Sequence, residues 1–404
     1  MAFLNKQSHE SKDDFAQLRR KLYWFSFFDE LILIYPLYAL MFQAHGLTGA
    51  QISSLLIVLS ATIFVLQVPA GSVADIVSRR LVLTVAVMAR ALAFVCWLLF
   101  PNYVGFLVGF LLWGVKRAFV SGTLESFVFD ELNRLKRSNE YTRVTGYMQT
   151  YGLVGFILGG LGAGLLAHFG YPIILVASIA AVCASAVVIY SLPQVPRAKD
   201  AQRVPYLQTL KAGIRVTLHD PVLLFIVSVG AVVNGFRVVD EYYGLFFHEL
   251  HFSNQTVALW STGIYGFGVL GSMAAEKLER KQVSVTLALA IWAASLWLAT
   301  VVPASLAPIS IGVYAAMYYA MSVLVNAYLQ HKITDGTTRA TATSLMSFVA
   351  EFLSLGVYGI FALTSGRGYG LGLHVVAMAI VGLGVMFGVV AKVGGKTSTN
   401  SNKS

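Results

Sequence analysis

The chain reads as an all-α integral membrane protein of twelve transmembrane helices in two pseudo-symmetric six-helix bundles. Three observations predict this: a composition suited to lipid, twelve apolar runs of spanning length, and Lys and Arg gathered in alternate loops. Of its 404 residues, 57% are hydrophobic and 12% charged, whereas an ordinary soluble domain carries roughly 25% charged residues. Water cannot solvate so apolar a surface, so lipid is the solvent for most of the chain.

Residues 1–21 are polar and of mixed charge, a cytoplasmic N-terminus without a cleavable signal. The first bundle, 22–191, contains apolar runs at 22–45, 50–74, 81–100, 103–128, 144–168 and 172–191. A polar linker follows at 192–220, opening with Pro193 and Pro196 and ending at Asp220. Within it Leu207, Leu210, Ile214 and Leu218 recur at helical spacing, predicting an amphipathic helix on the membrane surface. The second bundle, 221–392, has runs at 221–247, 255–275, 283–302, 305–331, 337–364 and 369–392, before a cytoplasmic tail at 393–404.

Charge tests the count. Of the 29 Lys and Arg, Arg367 alone lies in a loop on the side opposite the termini, and Arg90, Lys116, Arg117 and Arg237 lie within runs. All the others fall at the termini, in the loops on the same side as the termini or, for Arg339 and Lys392, at the ends of runs on that side. Such asymmetry places both termini in the cytoplasm, and one missed span would scramble it. The net charge of +10 is therefore topological, and nucleic acid is not a partner. Cys96 and Cys183 fall inside apolar runs and read as packing residues.

The halves also repeat. Leu40-Met41-Phe42-Gln43 parallels Leu245-Phe246-Phe247-His248, Gly71-Ser72-Val73-Ala74 parallels Gly271-Ser272-Met273-Ala274, and Arg143-Val144-Thr145 parallels Arg339-Ala340-Thr341. Three matches in order point to a duplicated six-helix unit, an architecture of transporters.

The stretch from Gly71 through Ala74, Asp75 and Arg79 to Arg80, read as the loop between spans 2 and 3, resembles the signature of the major facilitator superfamily. Ile76 and Ser78 depart from that signature. Ser121-Gly122-Thr123-Leu124-Glu125-Ser126, with Asp130 beyond, is similar to span 4 of bacterial members. Arg339 to Ser344 is similar to the start of their span 11. The resemblance implies that spans 1, 4, 7 and 10 face a substrate cavity. It also implies a conformational latch of Gly71, Asp75, Arg79, Arg80 and Asp130, for which plain positive-inside anchoring is the competing reading of the arginines.

Ionisable residues inside spans are costly unless they face a cavity or a partner. Asp29, Glu30, Glu125, Asp240, Glu241 and Glu351 are accordingly candidates for proton coupling. Adjacent helical residues point about 100° apart, so Asp29 and Glu30 cannot both face one cavity squarely. Tyr35, Arg117, Asn234, Arg237, Asp240, Tyr243, Tyr318, Asn326 and Glu351 are candidates for substrate contact, against packing and static ion pairs such as Arg237 with Asp240. Gly152, Gly155, Gly159, Gly160, Gly162 and Gly164 crowd span 5 and permit close helix approach.

The function these features imply is secondary active transport by alternating access in a bacterial inner (plasma) membrane. Efflux of small amphipathic or hydrophobic compounds by proton antiport is the favoured form. Proton-coupled import of a small metabolite, anionic if Lys116, Arg117 and Arg237 hold it, is the alternative, and a membrane-integral enzyme or a sensor is a distant third. No cofactor or metal is called for, and a monomer, holding both halves in one chain, suffices.

Overall fold

The computed structural model describes residues 2–192, 217, 219–280, 284–333 and 336–401. Side chains at 2–12, 68, 71, 72, 74–76, 330, 331, 336–341 and 389–401 lie outside that description. So do Leu207, Leu210, Ile214 and Leu218, on which the expected amphipathic helix rests.

The first half comprises α1 (Ala2–Glu30), α2 (Tyr38–Ala44), α3 (Gly49–Ile76), α4 (Arg79–Leu99), α5 (Tyr103–Val120), α6 (Thr123–Arg134), α7 (Tyr141–Leu166) and α8 (Tyr171–Tyr190). The second comprises α9 (Pro221–Phe236), α10 (Tyr243–Glu249), α11 (Asn254–Arg280), α12 (Val285–Val301), α13 (Ala307–Lys332), α14 (Gly336–Thr364) and α15 (Tyr369–Ser401). Among the described residues, 10 helical segments are long and apolar enough to cross a membrane, and Val285–Val301 is a shorter one. The remaining predicted span, 22–45, is divided between α1 and α2.

Local chemistry sets the helix starts. Thr48 and Gln51 close a reciprocal capping box on α3. Asn102 accepts the Gly105 N–H at 3.1 Å to open α5, and Ser284 accepts the Leu287 N–H at 3.2 Å to open α12. Asp220 accepts the N–H groups of Val222 and Leu223 at 2.9 and 3.1 Å, and Pro221 follows it where a helix has no donor to lose.

Three predicted elements differ from expectation. The span 22–45 is not continuous: helix is lost over 31–37, where Pro36 has no N–H and disfavours α geometry before it. The span 221–247 tightens to a 3-10 helix at Arg237–Tyr242 with no proline to cause it. The run 103–128 extends to Arg134 with a break at Gly122, whose φ of 74° suits a residue without a Cβ. In addition the run 50–74 continues as helix through Ile76, so that of the stretch from Gly71 to Arg80 only Val77 and Ser78 lie between α3 and α4.

The chain forms two compact units: 1–200 with 253–262, and 201–252 with 263–404. In the first, α1 packs on α7 and α8, and α4 on α5 and α8. In the second, α9 packs on α13 and α14, and α12 on α13 and α15. The pairings α1–α7 and α9–α14 correspond in the repeat, as do α4–α8 and α12–α15, and α4–α5 and α12–α13. Each unit has an aromatic core. Trp97, fully buried, donates to the Phe106 carbonyl at 3.2 Å, and Trp292 stacks on Tyr314 at 5.0 Å.

Candidate functional site

In the first unit the glycines of α7 let α1 approach at the level where α1 ends. A Cβ at Gly155 would lie 2.2 Å from the Phe27 carbonyl oxygen, and one at Gly159 would lie 3.2 Å from the Ile32 nitrogen. Unwinding after Glu30 frees backbone groups that need partners in an apolar setting. Arg90 donates to the Asp29 carbonyl at 2.7 Å, and the Ile34 N–H donates to Ser178 Oγ at 3.0 Å.

The same arginine bonds the Asp29 carboxylate, whose other oxygen accepts from Lys116 at 2.8 Å. Asp29, Arg90 and Lys116 are 6%, 2% and 7% exposed. One buried carboxylate thus joins α1, α4 and α5. Glu30, the next residue, is instead exposed and packs against Gly152 of α7. The two acids divide between interior and open face, as their angular separation requires. Arg117 is exposed beside buried Lys116 and makes no ion pair with a described residue. Tyr35 lies in the unwound stretch, half-buried, with its ring 5.6 Å from that of Phe156. Glu125 is exposed in the first turn of α6.

In the second unit the 3-10 stretch supplies Arg237 and Asp240, 3.7 Å apart, to a cleft with Tyr243, Tyr265, Tyr314, Tyr318 and Tyr319. Side chains again take the carbonyls that the change of helix type releases. The Tyr314 hydroxyl donates to the Phe236 carbonyl at 2.8 Å, and Ser354 donates to that of Gly235 at 3.1 Å. Trp292 holds Tyr314 in turn, donating to its carbonyl at 3.1 Å. The two α helices that open the repeats therefore break at corresponding positions, one braced by an ionic cluster and the other by neutral hydroxyls.

Of the residues singled out from sequence, Arg237, Asp240, Tyr243 and Tyr318 meet in this cleft. Asn234 and Asn326 do not line it; their amides donate to Gly230 and Ser322 one turn earlier on their own helices, at 2.8 and 2.9 Å. Glu241 and Glu351, both half-buried, also lie outside the lining. Tyr265 escaped the sequence reading, because within the apolar run 255–275 nothing local distinguishes it from a packing aromatic.

At the end of the first unit that carries the basic loops, Arg79 pairs with Asp130. Arg80 donates to the Leu192 carbonyl at 2.9 Å and lies 5.2 Å from the Tyr190 ring centroid. The Asp75 side chain and the packing of Gly71 fall outside the described positions. Glu131, also missed from sequence, is fully buried and held by Arg134 at 2.9 Å. Among the described residues no group of His, Cys, Asp and Glu could hold a metal ion.

The profile described as Major Facilitator Superfamily matches residues 22–357. No curated protein sequence matches significantly. Among solved structures, a mutant form of the nucleoside transporter NupG is similar at a TM-score of 0.77 and 14% identity, covering 93% of this chain and 99% of that one. A bacterial homologue of the human lysosomal transporter Spinster aligns at 0.70 and 14%, covering 93% and 95%. A D-xylose-proton symporter aligns at 0.67 and 14%, covering 92% and 96%. At such identity these likenesses concern the fold. With the profile spanning most of the chain, the protein belongs to the Major Facilitator Superfamily and is a multi-pass membrane transporter, not an enzyme.

Proposed function

We propose that this transporter exports small amphipathic compounds in exchange for protons, working by alternating access as a monomer in a bacterial inner membrane with both termini cytoplasmic. The observation that carries the substrate class is the cleft of Tyr243, Tyr265, Tyr314, Tyr318 and Tyr319 around the Arg237–Asp240 pair. Tyrosine offers an apolar face and a hydroxyl together, which suits a solute that is apolar on one side and hydrogen-bonding on the other.

The alternative, import of a small anion, needs cations free to hold it. Lys116 is bonded to Asp29 and Arg237 stands beside Asp240, which leaves Arg117 as the observation in its favour. Proton exchange falls to the membrane acids. Asp29 is the least suited of them, because neutralising it would strand two buried cations. Glu30, Glu125, Asp240, Glu241 and Glu351 remain.

Everted and right-side-out vesicles with an imposed pH gradient test this reading. Accumulation of an amphipathic dye in everted vesicles, collapsed by a protonophore, is expected. Uptake confined to right-side-out vesicles would overturn export.

A further inference from the structure

Glu30 is the last residue of α1, where the helix dipole presents its negative end. A carboxylate there is electrostatically unfavourable, and it gains no ion pair from any described residue. Arg117 has the opposite charge and the same isolation. Their preceding residues, Asp29 and Lys116, are locked together at 2.8 Å across α1 and α5, which brings Glu30 and Arg117 to a common level of the unit. Asp29, Lys116, Arg90 and Arg117, in decreasing order of influence, are the charged groups in electrostatic reach of Glu30, and Gly152 of α7 packs against its side chain.

Two opposite charges inside a membrane protein ordinarily close on each other, because each alone is costly. These two are exposed, each one residue along from the buried Asp29–Lys116 pair, and no described residue forms an ion pair with either. An apolar approach adjoins them. Tyr23, on the same face of α1 as Glu30, stacks on Tyr151 at 5.1 Å and lies 5.6 Å from Tyr147. Both Tyr147 and Tyr151 are exposed.

We propose that Glu30 and Arg117 form a subsite for a zwitterionic head group, Glu30 taking the ammonium and Arg117 the anionic oxygens, with the apolar body of the solute against Tyr147 and Tyr151. This rests on the amphipathic reading above and narrows it to dipolar amphiphiles. Arginine suits the anionic end because its planar fork matches a carboxylate in two parallel bonds. The negative end of α1 adds to the pull on the ammonium.

The test uses the full chain in lipid nanodiscs and equilibrium binding of matched probes. Tryptophan, tryptamine, indole-3-propionate and 3-methylindole share one body and differ in head group, and glycine supplies the zwitterion without the body. Tryptophan should bind at least about tenfold more tightly than either singly charged probe, the increment of a charge-assisted hydrogen bond. E30Q should remove its advantage over indole-3-propionate, and R117Q its advantage over tryptamine. The combined variant should lose little more than either alone, and gel filtration should show all three as folded.

No binding of tryptophan, equal affinity for the four indoles, or unchanged tryptophan affinity in both single variants would overturn the subsite. Tight binding of 3-methylindole or tryptamine with none of tryptophan sinks the subsite and leaves the amphipathic reading standing. Glycine binding as tightly as tryptophan would keep the charged pair but refute both the aromatic approach and the amphipathic reading.

Discussion

The ammonium of Lys116 stands 2.8 Å from one carboxylate oxygen of Asp29, while Arg90 occupies the other oxygen and the backbone carbonyl of the same residue. Burial of so many charges is repaid only if all partners remain. Asp29→Asn leaves two cations facing a neutral amide and should cost about 3–5 kcal/mol, as does removal of one partner from a buried ion pair. Thermal unfolding in detergent reads this out; a melting temperature equal to that of the native protein would show that the cluster braces nothing.

Arg79 and Asp130 predict the opposite pattern. Their side chains are 22% and 46% exposed, and exposed pairs contribute about 0–1 kcal/mol. If the pair belongs to a conformational latch, Asp130→Asn should leave melting nearly unchanged and reduce transport at equal membrane abundance. Native turnover in the variant argues for simple anchoring.

Close packing gives a steric prediction. A Cβ at Gly109 would lie 1.9 Å from the Trp97 indole nitrogen, whereas one at Gly146 meets nothing within 4 Å. Gly109→Ala should therefore destabilise by about 1–3 kcal/mol, and Gly146→Ala should stabilise its helix by about 0.5–1 kcal/mol. Equal melting of the two variants would refute the contact.

The break in the second half hangs on a hydroxyl. Tyr314→Phe keeps the stack on Trp292 but leaves the Phe236 carbonyl without its donor, a loss of about 1–3 kcal/mol. Hydrogen exchange should quicken at residues 237–243 and little elsewhere. Unaltered protection there would mean that the 3-10 stretch holds itself.

Asp220 links stability to pH. The Leu223 N–H above all, with the Lys332 ammonium at 3.2 Å and the Val222 N–H, holds its carboxyl below the usual carboxylate range against the opposing effect of burial. A folded-state value below the unfolded one, about 3.9, means that its stabilisation is complete above that pH and disappears as pH falls through the folded value. At neutral pH Asp220→Ala should cost about 1 kcal/mol, and Asp220→Asn, still a helix cap, less. The gap between native protein and Asp220→Ala should narrow under acid; a constant gap would refute the linkage.

Much of this protein was legible from residue order. Apolar length gave the spans, and Thr48, Asn102, Asp220 and Ser284 open their helices by rules that operate within a few residues. The first break has a local cause in Pro36. The second had no such sign, since the conversion at 237–242 depends on Tyr314 and Ser354, 78 and 119 residues away from the carbonyls they bond.

By itself the sequence determined that lipid surrounds the chain, how often the chain crosses it, and that Asp29 and Glu30 point different ways, because these follow from composition and local geometry. Only the tertiary structure decided which acid is enclosed. Asp29 found Arg90 and Lys116, 61 and 87 residues along the chain, whereas Glu30 met a glycine and stayed open. A buried charge needs partners, and only packing brings distant partners within reach.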